Sequence, residues 1–111
     1  MDVSARLIEL KPGTEQRVRE WAAFLLRHRD EANETLRNEG VDIESWFEVA
    51  LDGKRYLLCY IRAASIQEAE AVAGRSTSAV DEYHQQFKVD TWVRGRGAFG
   101  RLVIDLGADS R

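Results

Sequence analysis

A second cysteine, long apolar runs and a large excess of one charge are all missing from this chain, and each absence closes off a class of protein. A single cysteine, Cys59, stands among 111 residues. It can form no internal disulfide and supply no cysteine metal cluster. Its place in the apolar run YLLCYI marks it as a small core residue. No apolar stretch approaches the roughly 20 residues that cross a bilayer. The start, MDVSARLIEL, lacks a basic region followed by an apolar block, so no secretion signal is read there. A cytoplasmic location without a membrane partner is the expectation. The formal charge is only -3, with acids and bases mixed along the chain, which favours neither a nucleic-acid backbone nor an anionic membrane.

What is present is the composition of one globular domain, 44% hydrophobic and 32% charged. A chain of this length buries enough surface for a single core. The expected domain is 1–111, with its core over about 3–106 and a frayed tail over 107–111.

Hydrophobic periodicity supplies the elements. Val3 to Leu10 reads as a strand, broken by Lys11-Pro12-Gly13. Thr14 is a candidate N-cap, and Val18, Trp21, Ala22, Leu25, Ala32 and Leu36 make one helical stripe over Glu15 to Asn38. Gly40 suits the position past that helix. Phe24 and Leu26 fall off the stripe, either exposed or against a second subunit.

Val41 to Leu51 alternates with period two, the strand signature. Asp52-Gly53 is a two-residue hairpin signal, because both residues tolerate positive φ. Lys54 to Arg62 is the return strand. Ser65 with Glu68 forms a capping box opening a helix to about Ala73. A second helix starts at Ser78 and runs to about Lys88. Arg94 to Arg101 reads as a glycine-rich connection and Leu102 to Leu106 as the last strand.

The order is β-α-β-β-α-β, an α+β ferredoxin-like arrangement: an antiparallel sheet with helices on one face. The other face stands bare in a monomer. Trp46, Tyr56, Leu58 and Tyr60 are assigned to it. So large an apolar patch on a lone soluble protein predicts a homodimer packed sheet to sheet. A small organic ligand lying on the sheet is the rival account.

The strongest candidate for chemistry is Asp81 to Phe87. Asp81 and His84 are three apart on a helix and can meet, so the carboxylate could orient the imidazole as a general base or proton carrier. The structural alternative is a histidine at the rim of the core. Tyr83 shares that stripe. Trp46, Tyr60 and Arg62, with Trp92 beyond the helix, form a second set able to line a ligand or an interface. His28 reads as exposed, and two separated histidines do not make a metal site.

Gly95-Arg96-Gly97-Ala98-Phe99-Gly100 matches GxGxxG, but it follows a helix and leaves no room for the βαβ unit a dinucleotide needs. No cofactor is therefore expected. RNA recognition modules share this element order, but the first strand has no aromatic for a base to stack on, so no nucleic-acid partner is expected.

KPGTEQRVREW (Lys11 to Trp21), TLRNEGV (Thr35 to Val41) and STSAVDEYHQQFKVDTW (Ser76 to Trp92) together resemble a family of small bacterial proteins of unknown function, itself similar to the dimeric α/β-barrel superfamily. The resemblance implies a ferredoxin-like fold and dimerisation. It implies no single activity, since that superfamily spans small monooxygenases, haem-degrading enzymes, sugar mutarotases and stress-response proteins. The leading expectation is a non-catalytic domain binding a small molecule or a partner. The alternative is a cofactor-independent enzyme, monooxygenase- or isomerase-like. In it His84 would carry the proton, Asp81 would orient it, and Tyr60, Trp92 or Arg62 would hold substrate.

Overall fold

The structure, a computed structural model, describes residues 1–109. Four strands and four helices follow one another: β1 (Asp2–Leu10), α1 (Glu15–Arg27), α2 (Arg29–Glu39), β2 (Val41–Leu51), β3 (Lys54–Ala63), α3 (Ile66–Arg75), α4 (Ala79–Thr91) and β4 (Trp92–Phe99). The sheet order is β2-β3-β1-β4, with every pair antiparallel. The helices cover one face. This is the ferredoxin-like α+β fold.

The hairpin follows its sequence signal. Asp52 (φ 52°) and Gly53 (φ 75°) both take the left-handed conformation, as a tight turn between twisted strands requires. Leu51 therefore pairs with Lys54, and counting back sets Trp46 opposite Cys59. Cys59 is buried beneath the helices, so Trp46 points to the helix-covered face. This corrects its assignment to the bare face. Ser45, not Trp46, is the partner of Tyr60. A register shift between Val41 and Ile43 leaves Asp42 unpaired. That bulge turns Val41 into the core and Ile43 out of it, so the clean alternation of the sequence does not describe one face.

The helix expected unbroken over Glu15 to Asn38 divides in two, and the second helical segment divides where the sequence predicts. At His28 ψ rises to 32°, outside the helical range, and separates α1 from α2. Residues 76–78 separate α3 from α4. Ser65 and Ser78 cap as expected, accepting from the backbone N–H of Glu68 and Asp81 at 3.2 and 3.1 Å. Thr14 does not cap; its hydroxyl donates to the Lys11 carbonyl at 2.7 Å.

These breaks matter to the packing. α1 lies against α4, and α2 against α3, giving two separate apolar clusters. The first joins Leu10, Val18, Trp21, Leu57 and Phe87, with Trp46 and Trp92 at its border; the second joins Val41, Ala63 and Ala69, with Leu36, Ile61 and Ile66. Phe87 is fully buried and stacks on Trp21, centroids 4.4 Å apart. Burying such a side chain contributes roughly 2–3 kcal/mol.

The last strand lies earlier than the sequence suggests. It is the glycine-rich segment itself, and 102–106 has no strand partner. Gly97 explains why. Its φ is 135°, and a Cβ there would sit 2.0 Å from the Leu7 carbonyl oxygen. Ile8 pairs with Gly97 but Leu10 pairs with Trp92, so residues 93–96 bulge from the sheet, with Gly95 left-handed (φ 72°) at the turn. The glycine spacing serves a bulged edge strand rather than a phosphate loop. The tail expected over 107–111 lies partly outside the described residues, since 110 and 111 are not among them.

Candidate functional site

A cavity of about 590 Å³ opens between the sheet and the helices, walled by residues of both apolar clusters. Its position follows from the divided core: each helix pair fills one end and the gap remains between them. All three tryptophans of the chain, Trp21, Trp46 and Trp92, border it. Trp21 and Trp46 meet edge to face at 5.2 Å.

His84 stands in this wall, set by the turn of α4 that buries Val80 and Phe87. The Trp21 indole Nε1–H donates to His84 Nδ1 at 3.1 Å. An indole can only donate, so Nδ1 accepts and the ring proton sits on Nε2. Burial, with Lys88 adding to it, pulls the imidazole down to about 3 from its ordinary 6.5. His84 is therefore a neutral N–H donor at physiological pH. The expected carboxylate partner is replaced: Asp81 lines the cavity but makes no hydrogen bond or ion pair to His84 among the described residues.

Three carboxyls not singled out from the sequence, Glu39, Glu44 and Glu70, face the same space. Glu44, on β2, has Oε2 held by the Trp46 indole N–H at 3.1 Å. Burial raises its pKa, the indole bond and Lys88 partly opposing. Glu39, at the end of α2, is pushed up to about 7 by burial first, then by Asp81 and Glu44. Lys88 is pulled down by burial, against the charge of Glu44. Its ammonium lies over the Trp92 ring at 5.0 Å. Burial also pushes the Cys59 thiol up to about 12, so it lines the wall as an apolar group.

Hairpin counting was the signal that could have found Glu44. It sits two residues from Trp46, opposite Ile61, and shares its face. Glu39 and Lys88 carried no comparable mark.

The remaining candidates lie elsewhere. Tyr60 and Arg62 belong to the open face of the sheet, where Arg62 makes a bidentate ion pair with Asp105. Tyr83 stacks on Phe24 at 3.8 Å and accepts from Arg17 Nη1 at 2.8 Å, away from the cavity lining. Phe24 is thereby half-covered, whereas Leu26 is 63% exposed. Among the described residues, no group of three or more His, Cys, Asp or Glu side chains is placed to hold a metal ion, and no helix is long and apolar enough to cross a membrane.

Comparison with known proteins agrees with the fold. Residues 1–106 match the Family of unknown function (DUF6176). The chain belongs to that family. No curated protein matches it at a significant level. Among solved structures it is similar to a "Putative antibiotic biosynthesis monooxygenase from Nitrosomonas europaea", with a TM-score of 0.58 and 16% identity over 94% of this chain and 100% of that one. At that identity the likeness establishes the shared fold.

Proposed function

We propose that this DUF6176 protein is a homodimeric small-molecule-binding domain, with its ligand in the cavity between sheet and helices and its partner on the open sheet face. One observation carries the ligand reading. The cavity gathers three indole rings, a neutral histidine donor and several carboxyls in one space of about 590 Å³, the mix of apolar wall and few convergent polar groups that ligand sites have. The test is a screen of small organic compounds by tryptophan emission. Trp46→Phe should weaken the best binder at least fivefold, and Tyr60→Phe should leave it unchanged. A binder indifferent to Trp46 and sensitive to Tyr60 would move the site to the open face.

The dimer reading rests on that open face, where Ile43, Phe47 and Leu51 are 47, 53 and 50% exposed around Tyr60. Light scattering at micromolar concentration should give twice the chain mass for the wild type and the chain mass for Tyr60→Glu. A monomeric wild type defeats it.

A second reading, catalysis without a cofactor, is favoured by Glu39. A carboxyl pushed up to about 7 has the proton affinity of a general acid or base at neutral pH. His84, held neutral down to about 3, fits a hydrogen-bond donor better than a proton carrier. Under this reading Glu39→Gln abolishes turnover while ligand binding persists. Retained turnover refutes it.

A further inference from the structure

The charges lining the cavity do not balance locally. Glu39, Glu44, Glu70 and Asp81 face it, against Arg6, Arg29 and Lys88. None of the four carboxyls has a cationic side chain at ion-pair distance among the described residues. Two of the three bases lie over rings instead. Arg6 lies over Trp92 at 5.2 Å and Phe99 at 4.9 Å, and Lys88 over Trp92. A half-buried carboxyl without a cation at ion-pair distance is costly, and here the charge of Lys88 offsets only part of that cost, which appears as the raised proton affinity of Glu39 and Glu44.

Glu44 is also held in place. The Trp46 N–H fixes one carboxyl oxygen, and the same indole meets Trp21 edge to face. A fixed carboxylate beside aromatic rings is the surrounding in which an ammonium group is bound: the carboxylate supplies the counter-charge and the ring faces supply cation–π attraction. Leu25, Leu36 and Ile61 extend the wall as apolar surface.

We infer that the ligand is an organic cation, a protonated amine on an apolar body, with its ammonium at Glu44 and its body between Trp46 and the second apolar cluster. This deepens the small-molecule reading and rests on the cavity being the ligand site. The amine completes a charge pairing that the chain leaves open, and the aromatic wall excludes the water that would screen it.

The test uses three probes of one shape and different charge: phenethylammonium, 2-phenylethanol and 3-phenylpropionate. Each is titrated at pH 7.5 into the intact protein and followed by tryptophan emission and calorimetry. Phenethylammonium should bind at least tenfold tighter than either other probe. Glu44→Gln, checked for folding by circular dichroism, should erase most of that preference while leaving 2-phenylethanol unaffected. A neutral or anionic probe that equals or exceeds the amine overturns the cation assignment and leaves the cavity reading standing. A preference that survives in Glu44→Gln overturns it as well. If none of the three binds at millimolar concentration, the cavity reading fails and takes this inference with it.

Discussion

On the helix-covered face of the sheet, Leu57, Cys59 and Ala63 are 1, 6 and 0% exposed; on the open face, Ile43, Phe47 and Leu51 of the neighbouring strand are about half exposed. Both faces are apolar, yet they leave different things unfinished. The covered face has its apolar surface buried but leaves polar groups short of partners: Glu44 is bonded only by the Trp46 indole, Lys88 lies over the Trp92 ring, and among the described residues neither the buried Trp92 Nε1–H nor His84 Nε2–H finds an acceptor. The open face has charged groups that are paired, Arg62 with Asp105 and Lys54 with Glu9, but its hydrocarbon is wet. On the proposed reading, a small organic cation meets the first deficit and a second protein surface meets the second. Reading aromatics alone confuses the two, because rings occur on both.

The contrast can be broken by mutation. Phe87→Ala, on the covered side, should cost about 3–5 kcal/mol in urea unfolding, the loss for a fully buried aromatic. Phe47→Ser, on the open side, should cost under about 1 kcal/mol in the isolated chain and should instead shift the association equilibrium. Equal costs would mean that the faces are not different in kind.

Acid should sharpen it next. His84 holds its proton far less tightly folded (about 3) than in the unfolded chain (6.5), so the unfolded state gains protons first. Its contribution to stability is complete above 6.5 and is lost as pH falls toward 3, about 3 kcal/mol of it by pH 4. Glu39 runs the other way. Its raised value means that its contribution is complete below 4.5 and is lost as pH rises through about 7. His84→Gln should therefore flatten the acid limb of a stability profile, and Glu39→Gln should stabilise at pH 8 but not at pH 4.5. A wild-type acid limb unchanged in His84→Gln would contradict the buried neutral imidazole.

A smaller effect is expected at the sheet edge. Gly97→Ala places a Cβ 2.0 Å from the Leu7 carbonyl oxygen at φ 135° and should cost about 1–3 kcal/mol, read as a lowered melting temperature. No change would mean that the bulge relaxes freely.

Element order was legible because its signals are local: alternation in β2, the Asp52-Gly53 turn, and serine caps at Ser65 and Ser78. What failed was non-local. Trp46 went to the wrong face because its partner across the hairpin, Cys59, had to be counted rather than read. Arg94 to Arg101 looked like a loop because glycine weakens a strand pattern, while the apolar 102–106 looked like a strand and pairs with nothing in the sheet. Of the candidate site, His84, Asp81, Trp46 and Trp92 come together. The orienting partner of His84, Trp21, lies 63 residues away on another helix, and no spacing rule reaches that far.

The central claim, that the covered face holds the ligand and the open face the partner, is tested most directly by the indole N–H signals in a ¹H–¹⁵N spectrum. All three report on the cavity. A bound amine should shift Trp46 and Trp92 while leaving the backbone signals of Phe47 and Tyr60 in place. Shifts confined to Phe47 and Tyr60 would contradict it.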